Sequence, residues 1–353
     1  MRWRHLTSFF AATGFLAASF TGCSLIDEDL TGCTNQIRLT YQLQLDPEII
    51  QELEDELDLH ADEDIRAMLK GYIDGVFTNY ARDVDLFFYD TEEPMPILRS
   101  LSETMNSSSN TYALSMPVRS YMHTAITNVK VSEQVQIVGD GNYPTCRLEH
   151  GKTDGVYAPQ RSGLFTIRRR LDVGTKANQR FRIQLGMANS ATALVLDMGK
   201  ATRVTDVRVE VEGMATGFNI ADSTYVYDEN AVFSTEEFAV GYKHCYASVH
   251  FPSQDGPEEE DELQEEDTKA TDFTDEENDG TEHKLWRWKV YATLDDGSVT
   301  LSTLEMRPPV KAGQLKIRNA FVWDEGEVRS NDVDVSITVK LNWNPGLDIV
   351  VPL

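Results

Sequence analysis

Cys23 is the residue with the clearest chemistry in this chain. Arg2 and Arg4 open the sequence, residues 6–20 carry no charge, and Thr21 and Gly22 stand directly before the cysteine. A basic start, a short apolar stretch and small residues before a cut site make an export signal. A cysteine placed directly after them makes that signal one for lipid attachment. Its thiol takes a diacylglyceryl group, the chain is cut ahead of it, and the freed amino group is acylated. Residues 1–22 therefore read as a lipoprotein signal peptide. The competing reading is an ordinary secretory signal with a chance cysteine, and the bulky Phe20 leans slightly that way. The apolar run falls short of the roughly 20 residues that span a bilayer. Attachment would then rest on acyl chains, at about 0.8 kcal/mol for each buried methylene.

Three acids, Asp27, Glu28 and Asp29, follow the cysteine closely. This patch resembles the export tag that sends Bacteroides-type lipoproteins to the outer face of the outer membrane. The plainer reading is a solvated acidic linker over residues 23–33. Three cysteines remain after Cys23: Cys33, Cys146 and Cys245. An odd number leaves one thiol over unless chains pair. Cys33 and Cys146 form the most plausible bridge, because both fall in the first proposed domain; no bridge at all is the alternative.

Catalytic chemistry is not signposted. The chain has no Gly-x-Ser-x-Gly elbow, no Gly-x-Gly-x-x-Gly and no phosphate loop. His244, Cys245 and His250 are the one suggestive cluster. On a strand, however, His244 and His250 stand about 20 Å apart at roughly 3.3 Å per residue, and Cys245 points the other way. No metal and no cofactor are expected. Arg168, Arg169 and Arg170 read as a solvated strand end, with a small anion patch as the alternative. The formal net charge is -26, which argues against nucleic acid as a partner, since phosphate contacts need clustered lysine and arginine. Residues 257–282 hold fourteen acids and one lysine, and so read as a self-repelling, disordered loop. An EF-hand begun at Asp275 fails, because its twelfth position is Trp286 where a bidentate glutamate is required.

The elements that carry these residues are strands. Residues 37–45 alternate without a break, as do 181–187, 207–211 and 286–290. Period two with one apolar face means sheets with one face buried. Asp296-Gly297 marks a tight hairpin. Residues 47–72 differ: Ile49, Ile50, Leu53, Leu57, Ile65, Met68 and Leu69 recur at helical spacing among acids. Pro47 suits one helix start and residues 62–66 a second. The chain thus reads as all-β, with a short helical insertion between the first two strands. A boundary near residues 171–175 divides it into an N-terminal β-sandwich domain, 34–172, and a C-terminal one, 173–353.

The start of the mature chain resembles the FimB-type fimbrial anchor lipoproteins of Bacteroidales. The likeness rests on Cys23, the acids at 27–29, a second cysteine at Cys33, and a strand from Ile37. Residues 84–90 are similar to that family's second strand, and residues 214–219 also match. The resemblance covers most of the mature chain through short, loose motifs. Residues 117–121 depart from it, with Arg119-Ser120 where a turn glycine is common, and the 47–72 helix and the 257–282 loop look like insertions. The resemblance implies two tandem transthyretin-like β-sandwiches, no enzymatic activity, and a place at the base of a surface fimbria. There the protein would hold the fimbria to the outer membrane by its lipid, limit its length, and contact fimbrial stalk subunits by strand addition. The last alternating run, Val333, Val335, Ile337, Val339, Leu341 and Trp343, is the candidate contact strand; the alternative is a final strand paired within its own chain. The competing class is a surface glycan-binding lipoprotein of a polysaccharide uptake system. It would need exposed platforms among Trp286, Trp288, Trp323 and Trp343, whereas alternation favours burial of Trp286, Trp288 and Trp343.

Overall fold

A computed structural model describes residues 36–44, 63–77, 82–104, 111–176, 178–254, 286–306, 309–337 and 349–350. Its strands, numbered in chain order, fall into five sheets. Sheet A runs β24 (Ile349–Val350), β11 (Gln179–Gln184), β1 (Gln36–Gln44), β4 (Thr111–Pro117). Sheet B runs β12 (Gly186–Met187), β10 (Phe165–Asp172), β5 (Ser120–Thr127), β2 (Asp83–Tyr89), β3 (Ile97–Thr104). Sheet C runs β18 (Glu236–Val240), β19 (Lys243–His250), β13 (Ser190–Lys200), β22 (Leu315–Trp323), β23 (Val328–Ile337). Sheet D runs β21 (Val299–Met306), β20 (Trp286–Leu294), β14 (Val204–Glu212), β17 (Val232–Ser234), β9 (Val156–Tyr157), β8 (Lys152–Thr153). Sheet E runs β16 (Thr224–Tyr227), β15 (Ala215–Asn219), β7 (Arg147–His150), β6 (Val135–Val138).

The chain is all-β, and its sheets pack face to face as β-sandwiches. Strand alternation decides which side chains enter each core. In β20, Trp286, Trp288, Val290, Ala292 and Leu294 are buried while Arg287, Lys289, Tyr291 and Thr293 are only half-buried. Trp286, Trp288 and Val290 meet Leu194, Leu196, Tyr246, Ala320 and Val322 of sheet C, which closes the C-D core. The expected hairpin is present, with Gly297 at φ 82° between β20 and β21. That left-handed backbone is open to glycine at no steric cost.

The other face of sheet C is also covered, which explains why β13 is buried from Ser190 to Leu196. Its small side chains Ala191 and Ala193 join a core with Phe88, Phe181, Ile183 and Cys245. Helix α1 (Glu63–Phe77) adds Ile65 and Leu69 to this core. Their spacing, continued by Tyr72 against Phe238 at 5.1 Å, is one helical stripe. The helix begins at the second of the two expected starts and runs five residues beyond the expected end at 72; residues 45–62 lie outside the described segments. Although it interrupts the chain between β1 and β2, it packs against β19 of sheet C.

Sheet E covers the outer face of sheet B. Phe87, Tyr89 and Ile126 meet Leu148, Ala215 and Phe218 in a third core. Close approach here needs glycine at Gly217, where an added Cβ would stand 2.8 Å from the Leu148 carbonyl oxygen. Beyond residue 172 the chain passes from sheet B into sheet A: β11 pairs in parallel with β1, from Leu39 opposite Gln179 to Gln44 opposite Gln184. Sheet A therefore draws on both sides of the expected 172/173 boundary.

Candidate functional site

Cys23, the expected lipid-attachment residue, the acids Asp27, Glu28 and Asp29, and Cys33 lie outside the described residues, as do Val339, Leu341, Trp343 and the acidic stretch 257–282. The described part of the candidate contact region is β23 and β24. β23 is the outermost strand of sheet C and pairs antiparallel with β22, Ile317 opposite Val335 and Leu315 opposite Ile337. The ladder shifts register between Arg318 and Ala320, so Val333 falls within the irregular stretch of the strand. The tail then reaches a different sheet. β24 adds antiparallel to the edge of β11, with Ile349 opposite Phe181 and Val350 opposite Arg180. Phe181 and Ile183 are buried on one face of β11, whereas Arg182 on the other is exposed. A terminal strand adding to a sheet edge gains main-chain hydrogen bonds and sets its side chains by alternation.

Cys146 is a free, buried thiol, and burial pushes its pKa up to about 11. Cys245 is likewise free and buried, with its thiol pushed up to about 12. Neither presents a thiolate near neutral pH.

The histidines separate as strand geometry requires. His244 lies opposite Leu196 and His250 opposite Ser190, near the two ends of the β13–β19 ladder. His244 Nδ1 is 2.6 Å from Glu237 Oε1. His250 is buried, its Nε2 2.9 Å from Thr192 Oγ1 and its Nδ1 2.8 Å from the Phe251 carbonyl. Among the described residues no group of three histidine, cysteine or carboxylate side chains is placed to hold a metal. His250 instead faces a second buried histidine, His150, across Phe233, whose ring centroid is 5.9 Å from that of His250 and 5.6 Å from that of His150. Desolvation holds both imidazoles down, to a pKa of about 4. Sequence reasoning missed this pair, because strand pattern shows which residues face inward but not that β7 and β19 meet.

Arg168 donates to the Ala221 carbonyl and, at 3.4 Å, to that of Asp222, so it is tied to the turn of sheet E. Arg170 is paired with Asp172 at 3.2 Å and is largely exposed. On sheet D, Glu212 accepts from Arg287 Nε at 2.6 Å and from Lys289 Nζ at 2.5 Å. Burial opposes its charge, but the two cations prevail and its pKa falls below the usual carboxylate range. Trp286 and Trp288 are in the core. Trp323 is only half-buried, but Lys200 Nζ sits 4.5 Å from its ring centroid and the Arg329 guanidinium 5.5 Å from it. None of these three rings is a free stacking platform. Among the described residues no helix is long and apolar enough to cross a membrane.

No family model matches the sequence, and no curated protein does. Solved structures do. A candidate adhesin from Bacteroides ovatus is similar with a TM-score of 0.50 at 13% identity, over 78% of this chain and 85% of that one. A candidate polysaccharide-binding protein from Bacteroides thetaiotaomicron follows at TM-score 0.47 and 11% identity, over 84% and 96% of the two chains. The fimbrial anchor protein Mfa2 from Porphyromonas gingivalis gives 0.46 at 7% identity, over 86% and 99%. At these identities the likeness is one of fold. The first of them supports the β-sandwich architecture directly.

Proposed function

We propose that this chain is a non-enzymatic, lipid-anchored surface protein that attaches a fimbria to the outer membrane and limits its length. Its partners are fimbrial stalk subunits, met by β-strand addition, and the outer membrane, met through lipid on Cys23; nucleic acid is not among them. The order of charge, apolar run and small residues ahead of Cys23 carries the membrane half of this reading. The β-sandwich fold, shared with a candidate adhesin, and the C-terminal strand lying on a sheet edge support the other half. The glycan-binding alternative is weakened by the burial of Trp286 and Trp288.

The two halves have separate tests. Metabolic labelling with a fatty-acid analogue should mark the wild-type protein and leave Cys23→Ala unmarked; equal labelling of both would remove Cys23 as the anchor. For the subunit contact, residues 347–353 are trimmed and the cells are scored for fimbriae. The trimmed protein should reach the surface while fimbriae are shed into the medium. Full retention of fimbriae by a folded, surface-exposed, trimmed protein would show that the tail is not the joint.

A further inference from the structure

The outer face of sheet A is free of acid in a chain that carries 58 acids. Alternation buries Phe181 and Ile183 of β11 and turns Arg180, Arg182 and Gln184 the other way. Arg180 stands opposite Thr40 of β1, and Arg182 opposite Gln42. Arg38 occupies the next position of the same face, opposite Ser115 of β4. No outward position of β1, β4 or β11 is Asp or Glu. The face lies in solvent, since Arg182 and Ala113 of β4 are exposed.

The cations of this face are also unpaired. Among the described residues, Arg180 and Arg182 have no ion-pair partner, and nor has the exposed Lys176 that leads into β11. Around the turn after Pro117, which lies opposite Gln36, the acids already have partners: Arg119 holds Asp90 at 2.8 Å and Arg170 holds Asp172 at 3.2 Å. An unpaired arginine on a face without acid offers its planar fork of donors to a phosphate. Charges more than a Debye length away, about 8 Å at physiological salt, are largely screened. The face that touches an anionic surface therefore decides the sign of the interaction, rather than the net charge of -26.

Position narrows the choice of partner. β1 is the first described strand, and Cys23 stands thirteen residues ahead of Gln36. That length reaches at most roughly 45 Å, at about 3.4 Å per residue. Because β11 runs parallel to β1, Lys176 and Arg180 lie toward the end of the sheet where β1 begins. A tether at Cys23 would thus hold this face within reach of the membrane it is fixed to.

We propose that the outer face of sheet A docks on an anionic membrane surface, with Lys176, Arg180 and Arg182 set against lipid phosphates. The contact orients the chain, laying sheet A on the bilayer. It rests on the anchor reading, since a tether makes a weak contact sufficient by keeping the local concentration high. Each cation near such a surface favours the docked state about fivefold.

The test supplies the tether chemically. Residues 23–353, with a polyhistidine tag ahead of Cys23, are held on phosphatidylcholine vesicles through a nickel-chelating lipid, with or without added phosphatidylglycerol. A failure of Cys23 to be acylated in cells leaves this result untouched. Phenylglyoxal modification of each arginine is followed by mass spectrometry. Arg180 and Arg182 should react about tenfold more slowly on the anionic vesicles than on the neutral ones, and added salt should erase the difference. Arg203, which is paired with Asp295 on sheet D, is the control and should change little. In the variant Lys176→Gln/Arg182→Gln, both sites being exposed, Arg180 should return to nearly its neutral-vesicle rate. Equal rates on the two vesicles, equal slowing of Arg203, or full protection of Arg180 in the variant would each overturn the proposal. So would equal protection by inorganic phosphate without vesicles, which would make the ligand a free anion. Slow modification under every condition would do the same, by showing that acids of the chain itself cover the face.

Discussion

Acidification should unfold this protein through its buried histidines before its carboxylates are neutralised. His123, His150 and His250 are buried, and desolvation lowers each from 6.5 to about 4. In the unfolded chain each would titrate near 6.5. The unfolded state therefore binds more protons as the pH falls, and stability is complete above about 6.5 and lost progressively towards about 4. Below that both states are charged and the loss levels off. A displacement of this size corresponds to about 3 kcal/mol for each ring, against a total stability of roughly 5–15 kcal/mol. Burial is the main cause for His250, and a charge on His150 lowers it further. The check is a pH titration of tryptophan fluorescence, which reads the C-D core through Trp286 and Trp288. The double variant His150→Gln/His250→Gln should move the midpoint to lower pH. An unchanged midpoint in a variant that is folded at neutral pH would assign the transition to carboxylates instead.

Phe233→Ala should be among the most damaging single substitutions. The ring is fully buried, stacks on Tyr157 at 4.8 Å and touches both histidines. It sits where sheets C, D and E meet, so neighbours cannot collapse into the space without separating sheets. A loss of about 3–5 kcal/mol is expected, seen as a lower urea midpoint. Leu301→Ala is the control, because Leu301 is 52% exposed on β21; it should change stability by less than about 0.5 kcal/mol. Water entering the Phe233 cavity should also raise the histidine pKa values towards 6.5, so that acidification removes less of the stability that remains. Similar midpoints for the two variants would show that the three-sheet junction is not a keystone of the core.

Much of this architecture was legible because alternation is a local signal. Trp286, Trp288 and Val290 face inward as their spacing requires, and Asp296-Gly297 makes its hairpin. The second helix start was legible from acids ahead of Ile65, and it is where α1 begins. The helix's destination was not, because a stripe of Ile65, Leu69 and Tyr72 shows that a face must be buried but not against what. β11 illustrates the same limit: Phe181 and Ile183 mark a half-buried strand, yet nothing local specifies a parallel partnership with β1.

The pairing of β1 has a mechanical meaning. It is an interior strand of sheet A, with β4 antiparallel along Gln36 to Gln42 and β11 parallel along Leu39 to Gln44. A pull on the N-terminal end of β1 runs along the strand, so the cross-strand hydrogen bonds on both sides are loaded in shear and share the force. An edge strand pulled sideways would instead open one bond at a time, like a zip. A tether placed ahead of Gln36 would thus haul on a strand gripped from both sides.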